Sequence, residues 1–225
     1  MTPEDIESRL LYRDALMLVL NKPAGIAVHP GSSRSDSLEQ YFKYLQFGLP
    51  NPPSLAHRLD RDTSGCLILG RHRKALAKLG KLFEHKKIGK TYWAIVEGAP
   101  KEREGTITAP LKKFNERKGW KMMVAQDGQE SITDYRIMGT KDGKSWIEFS
   151  PRTGRTHQIR VHSGYLGCPI IGDWVYGNYV KDEIMLHLHA RSVRVPLYPS
   201  KPEISIEAPP PGHMIHELAS LGWQD

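Results

Sequence analysis

The sequence predicts a mixed α+β fold with a β-rich middle, and three stretches carry that expectation. The run "ALMLVL", residues 15–20, is unbroken apolar chain of strand length. The segment "KALAKLGKLFEHKK" places Leu76, Leu79, Leu82 and Phe83 along one face with lysines around the rest, the pattern of an amphipathic helix. Between Gly105 and Ser150, short strand-like stretches alternate with Gly-containing turns, and "KDGK" between "ITDYRIM" and "SWIEF" is a strong hairpin signal. With 225 residues, 39% hydrophobic and 25% charged, the chain is long enough to bury a sizeable core.

Taken in order, "ALMLVLNKPAGIAVHPG" reads as a strand buried on both sides that breaks at Pro23, turns through Gly25 and resumes from Ile26 to Val28. "GSSRSDS" is a polar loop, after which Leu38, Tyr41, Phe42 and Leu45 fall at helical spacing before the breaker-rich "GLPNPPS". "CLILGR" is a short strand, the basic amphipathic helix follows, and "KTYWAIVEG" is a strand apolar on both faces with Tyr92 near its entry. "TGRTHQIRVHSGYLGCP" begins as a loop and becomes a short helix with Thr156 as N-cap and Ile159, Ser163 and Leu166 on one face. That helix ends at Gly167, before Pro169. "LHLHARSVRVPL" is a further strand, and a short helical stretch closes the chain after "APPPGH". No repeat or flexible linker divides it, so residues 1–225 are expected to form one domain.

Several function classes fall away at this level. The longest apolar run is far short of a membrane span, and the acidic "MTPEDIESRL" is unlike a secretion signal, which leads to the expectation of a cytoplasmic protein without membrane partners. Cys66 and Cys168 stand alone and far apart, suggesting buried thiols rather than a disulfide framework or a zinc site. The formal charge of +7 points to a polyanionic partner. Its distribution sharpens the point: Arg71, Arg73, Lys74, Lys78, Lys81, Lys86, Lys87 and Lys90 are opposed only by Glu84, and Lys112, Lys113, Arg117, Lys118 and Lys121 form a second cluster.

The chemistry-bearing candidate is "AHRLDRDTSG", residues 56–65. In extended chain Arg58 and Asp60 share a side and Leu59 takes the other, so leucine anchors while the charges face out. Thr63, Ser64 and Gly65 are suited to tie back the turn by side-chain to backbone hydrogen bonds. Alone, the decapeptide fits a solvated surface turn as readily as a site. "TGRTHQIRVH" weighs toward a site, because Arg160, flanked by Ile159 and Val161, needs an anion if its helix is buried. Pairing with Asp60 would keep that carboxylate ionised and aimed.

"HRLDRDTSG", "KTYWAIVEG" and "GRTHQIRVH", followed by "GCPIIGDWVYG" and "LHLHA", resemble in that order the RluA family of pseudouridine synthases, over about residues 18–208. The likeness is nearest to the catalytic domains of the members acting on large-subunit ribosomal RNA. It implies an α+β pseudouridine synthase catalytic fold, with a long mixed, mostly antiparallel sheet flanked by helices and loops around a central basic cleft. It also implies isomerisation of uridine in ribosomal or transfer RNA by a monomer, without cofactor or metal. By the resemblance Asp60 is the catalytic aspartate, Tyr92 the tyrosine that packs on the target base, and Arg160 the arginine that pairs with Asp60. Arg58 matches the arginine that displaces the target nucleotide, and Arg155, His57, Thr63 and Ile159 are expected on the substrate side. Cys66 stands where relatives usually have an aliphatic residue and Cys168 where many have His. Relatives often carry an N-terminal S4 domain, for which too few residues precede the first expected strand here, so target choice does not carry over.

The rival from another class is an RNA-binding or RNA-remodelling module without catalysis, against which Asp60, Tyr92 and Arg160 all argue. A histidine-metal hydrolase built on His157, His162, His187 and His189 lacks a carboxylate or Cys at matching spacing. "NKPAG" lacks the ending of a phosphate-binding loop and reads as a strand-end turn. Trp120, between Lys118 and Lys121, has the make-up of a base-stacking residue, although a Trp packed within its hairpin is the commoner use of that pattern.

Overall fold

In the computed structural model, residues 1–30, 36–116 and 119–224 are described. Most of the polar loop, residues 31–35, and Arg117 and Lys118 of the second basic cluster lie outside them. The elements run α1 (Pro3–Glu7), β1 (Leu10–Arg13), β2 (Met17–Lys22), a 3-10 helix (Leu38–Leu45), β3 (Ser54–Leu55), β4 (Ser64–Gly70) and α2 (Arg73–Glu84). There follow β5 (Gly89–Glu97), β6 (Glu104–Thr108), β7 (Leu111–Glu116), β8 (Gly119–Val124), β9 (Ile132–Lys141), β10 (Lys144–Pro151), α3 (Gln158–Tyr165), β11 (Leu188–Val195), β12 (Ile204–Glu207) and α4 (Gly212–Ser220). The fold class is α+β, and the strands of every registered pair run antiparallel. Among the described residues no helix is long and apolar enough to cross a membrane. The chain forms two compact units, Met1–Lys90 with Ala190–Pro209, and Thr91–His189 with Pro210–Asp225.

In the first unit β1, β2, β4 and β11 lie side by side, with β3 on β4 and β12 on β11. The apolar run read as a two-sided strand is that: Met17 to Leu20 are all buried, and β2 pairs with β4 from Met17↔Gly70 to Lys22↔Gly65. Met17, Val19, Cys66 and Ile68 meet Leu79 of α2 and Val193, Val195 and Ile206 in one core, which explains why the basic helix keeps a leucine face. Gly65 has φ +104°, and a Cβ there would lie 2.2 Å from the Ala190 carbonyl oxygen, so glycine is required where the quoted decapeptide ends.

Two elements precede the strand that the sequence makes first. Thr2 and Asp5 form a reciprocal capping box with Pro3 in the first turn, which starts α1. β1 joins β2 through a turn clasped by the Asp14 carboxylate, which accepts from the Leu16 and Met17 amides at 2.8 and 2.7 Å. The helical spacing at 38–45 does bury Leu38, Phe42 and Leu45, but on a 3-10 helix.

In the second unit the order is β5-β10-β9-β6. The "KDGK" hairpin forms with Lys141 opposite Lys144, leaving Asp142 and Gly143 as a two-residue turn with φ +50° and +73°, the signs a type I′ turn needs. β5 is apolar on both faces because it separates two cores. Ala94 and Val96 pack with Ile147, Phe149 and Ile159, while Trp93 and Ile95 pack with Trp146 and with Met214 and Leu218 of α4. β7 and β8 form a separate two-stranded ribbon.

Candidate active site

Asp60 lies in the first unit, in the irregular segment between β3 and β4. Extended alternation holds: Leu59 is buried, Arg58 is exposed and Asp60 is half-buried. The turn is closed by backbone, the Thr63 amide donating to the Asp60 carbonyl at 3.3 Å. The expected tie through the Thr63 hydroxyl is corrected, because that buried oxygen has no partner among the described residues. A lysine does the work instead. Lys22, fully buried at the end of β2, donates from Nζ to the carbonyls of Pro23, Ile26 and Arg61, each at 2.8 Å. The Gly25 amide donates to the Arg61 carbonyl, and Arg61 Nε donates back to the Gly25 carbonyl, both at 3.0 Å. "NKPAG" is therefore the floor under the Asp60 turn. Burial pushes the Lys22 amine down to about 7, with the Asp62 and Asp60 carboxylates pulling the other way.

His57 supports the same turn from its N-terminal side. Its Nε2 accepts from the Ile68 amide at 3.0 Å and its ring lies 4.9 Å from that of Phe83. Desolvation, with Lys90 adding to it, pushes His57 down to about 3, so the ring is neutral and an acceptor at physiological pH.

Arg160 lies in the second unit, on a helix whose residues Gln158 to Ser163 are all buried. One anion that this buried arginine holds is Asp173: Nε and Nη2 donate to its two oxygens, both at 2.8 Å, and both side chains are almost wholly enclosed. The guanidinium also lies 5.1 Å from the ring centroid of Tyr176. The start of α3 differs from expectation, since the N-cap is His157 in the left-handed region (φ +54°) rather than Thr156. The reason is Gln158, whose Oε1 accepts from the Arg155 amide and the Thr153 hydroxyl and whose Nε2 donates to the Ile132 carbonyl and Thr133 Oγ1. The helix start is thus pinned to β9 by a side chain. Its end is as expected, with Gly167 at φ +76°.

Tyr92 sits half-buried on β5 of the second unit, opposite Phe149, against the core that contains Ile159. Arg155 is exposed, and its Nε donates to the Glu130 carbonyl at 3.1 Å. Two of the histidines of the metal reading are engaged elsewhere: His162 spends Nδ1 on Thr133 Oγ1 and Nε2 on the Ala109 carbonyl, and His187 Nδ1 bonds the Met185 carbonyl. Lys22, Gln158, Asp173 and Tyr176 are the residues that motif reading missed. A lysine closing a strand that opens with four apolar residues is a visible signal for the first, and the quoted "GDWVYG" contains the last two.

A family model described as RNA pseudouridylate synthase matches residues 16–164 of this chain. The chain belongs to that family. The synthase is 42% identical to an uncharacterised RNA pseudouridine synthase of Zymomonas mobilis, the match covering 92% of this chain and 95% of that one. It is 37% identical to ribosomal large subunit pseudouridine synthase C of Haemophilus ducreyi, covering 96% of this chain and 70% of that one. Among solved structures it resembles human RNA pseudouridylate synthase domain containing 4, with a TM-score of 0.81 and 25% identity over 99% of this chain and 96% of that one. The RluA-type resemblance, the fold class and the activity expected from the sequence are all borne out. The synthase is an isomerase acting on uridine in RNA: the bond from N1 to the ribose C1′ breaks, C5 joins C1′, and C5 gives up its proton while N1 gains one.

Proposed function

We propose that Asp60 is the carboxylate on which this isomerisation turns, and that the substrate is ribosomal RNA. The observation that carries the first part is the turn itself. A half-buried aspartate on a loop floored by a three-way buried lysine is held still before substrate arrives, which is what a nucleophile or a ribose-proton base needs. Arg160, fixed at one edge by Asp173, serves in this reading to hold the Asp60 carboxylate ionised in the RNA complex. Tyr92 takes the face of the detached uracil while it turns, and exposed Arg58 fills the place of the flipped nucleotide, offsetting an unstacking cost of a few kcal/mol. Arg155, His57, Thr63 and Ile159 complete the substrate side, through contact or through the support already described.

Support for ribosomal RNA comes from the relatives named ribosomal large subunit pseudouridine synthase C, which match 96–97% of the chain at 37% identity. A cytosolic monomer is the form proposed. Pseudouridine mapping of total RNA with and without the gene tests the target: loss of a ribosomal site supports it, and loss confined to transfer RNA overturns it. Asp60→Asn keeps the shape and removes the charge, so it should bind RNA like the parent while pseudouridine formation disappears. Turnover near that of the parent would remove Asp60 from the chemistry.

A further inference from the structure

The β7–β8 ribbon is a second concentration of charge and aromatic surface, within the second unit. From Leu111 to Val124 the sequence holds five Lys or Arg against one Glu, and Phe114, Trp120 and Met123 are exposed at 47%, 45% and 40%. Register explains how both faces come to mix the two kinds. Trp120 lies opposite Asn115 and Met122 opposite Lys113 on one face, while Lys112–Met123 and Phe114–Lys121 pair on the other.

A two-stranded ribbon is marginal alone, and this one is fastened at two points. At its base, Leu111 and Gln129 exchange backbone hydrogen bonds at 2.9 and 2.8 Å, and the Ala125 amide donates to the Pro110 carbonyl. Midway, the Met122 amide donates to the Tyr176 hydroxyl at 2.9 Å, and that hydroxyl has its own hydrogen for His157 Nδ1 at 2.8 Å. The His157 ring in turn stacks on the Trp120 indole, 5.4 Å between centroids and 25° between planes. Lys113 Nζ lies 4.8 Å from the centroid of the same indole. An exposed tryptophan is thereby held by a ring that Tyr176 fixes, with the Lys113 ammonium over its indole. Burial does not require this, since nearly half of the residue faces solvent.

We infer that Trp120 is a stacking platform for an unpaired base of the RNA substrate, with Lys113, on the same face of the ribbon, moving from over the indole to a flanking phosphate. The inference rests on the RNA-modifying function and adds a binding residue outside the Asp60 turn. Stacking on an aromatic face next to cations is how proteins hold single-stranded nucleic acid whatever its sequence. A protein partner would have no use for the surplus of positive charge unless it were acidic, and the flat indole beside an ammonium matches a base with its phosphate. The chain Trp120, His157, Tyr176 also ends against the Arg160 guanidinium, so a base seated on the indole bears on the element that holds that arginine.

The test uses the 225-residue protein, Trp120→Ala, Trp120→Phe and Lys113→Ala, with two fluorescent probes at low salt. One is an oligouridylate of about twelve nucleotides, and the other is the abasic ribose-phosphate chain of the same length. Trp120→Ala should bind the oligouridylate roughly 5- to 150-fold more weakly, the fold-change equivalent of loss of one base stack, and bind the abasic chain like the parent. Trp120→Phe should restore most of the affinity, and Lys113→Ala should weaken both probes alike. Equal loss on both probes, or no loss on either, with melting temperatures matching the parent, overturns the platform. Because the readout is binding, it stands apart from the chemistry. Absence of tritium release from 5-tritiated uridine in ribosomal RNA by the parent protein would count against the proposed target and leave the stacking result to be judged by itself.

Discussion

Lys22→Met removes the charge beneath the Asp60 turn and keeps the length of the side chain, so it tests whether the lysine builds that turn. Three carbonyl oxygens lose this donor, but that of Arg61 keeps the Gly25 amide, so two, those of Pro23 and Ile26, are left unmade among the described residues. A buried acceptor left unmade costs about 1–3 kcal/mol, so the gross loss is about 2–6 kcal/mol. Against it, an ammonium no longer has to be stripped of water, which returns several kcal/mol. The expected net destabilisation is about 1–3 kcal/mol, or a fall in melting temperature of about 2–12 °C at the usual sensitivity of a chain this size.

The pH dependence has a definite sign. The folded amine is depressed to about 7 from an ordinary 10.5, so between those values the unfolded chain binds more protons than the folded one. Stability should therefore rise with pH across that window in the parent, and this part of the slope should vanish in Lys22→Met. Thermal melts by circular dichroism at pH 7, 8 and 9, with tritium release measured well below the melt, supply both readouts. A variant that melts with the parent at every pH and turns over normally would show that the three contacts neither stabilise the turn nor position Asp60.

Asp14 gives the opposite limb. Its burial raises the carboxyl, but the Leu16 and Met17 amides and the Tyr198 and Tyr12 hydroxyls outweigh it and hold the group below its usual range. The stability it lends is present above the unfolded carboxylate value and lost as pH falls through the folded one, so Asp14→Asn should flatten the loss of melting temperature below about pH 4. Cys66 is buried with its thiol pushed up to about 12, and Cys168 is also raised by burial; iodoacetamide should label neither thiol in native protein and both in urea, and rapid native labelling would contradict that burial. RNA affinity should fall steeply on a log-log plot against salt, and Lys81→Glu on the exposed face of α2 should weaken binding and flatten the slope, whereas a flat dependence in the parent would sink the polyanion reading. Tyr92→Phe should still bind RNA but release tritium from 5-tritiated uridine slowly if the phenol oxygen helps remove the C5 proton, and parent-like release would confine the residue to stacking.

What the sequence made legible was local. Asp-Gly between two alternating runs forces a two-residue turn, and the turn fixes the register of β9 on β10. Leu59 between Arg58 and Asp60 sets which side chain goes in, because alternation is a property of extended chain. The unread parts join residues far apart. That Arg160 needs an anion follows from its apolar neighbours, but Asp173 lies beyond the end of α3 and carries no periodic signal toward it. Lys22 reaches a carbonyl on Arg61, and backbone acceptors have no residue type to recognise. The N-cap of α3 was misplaced for the same reason, since Gln158 is a poor sequence cue for a cap and its partners sit on β9.

The buried and exposed charges divide the labour differently. Lys22 and Arg160 are both enclosed, and each is held by fixed oxygens, three carbonyls for the lysine and a carboxylate for the arginine. Buried ions of this kind add little net stability when compared with apolar packing, and losing one partner is costly, so their effect is to hold the surrounding backbone in one geometry. Arg58, Arg155, Lys81 and Trp120 are exposed, where a substitution costs the fold little. A synthase built this way can change which RNA it grips by altering its surface while the loop that carries Asp60 stays as it is.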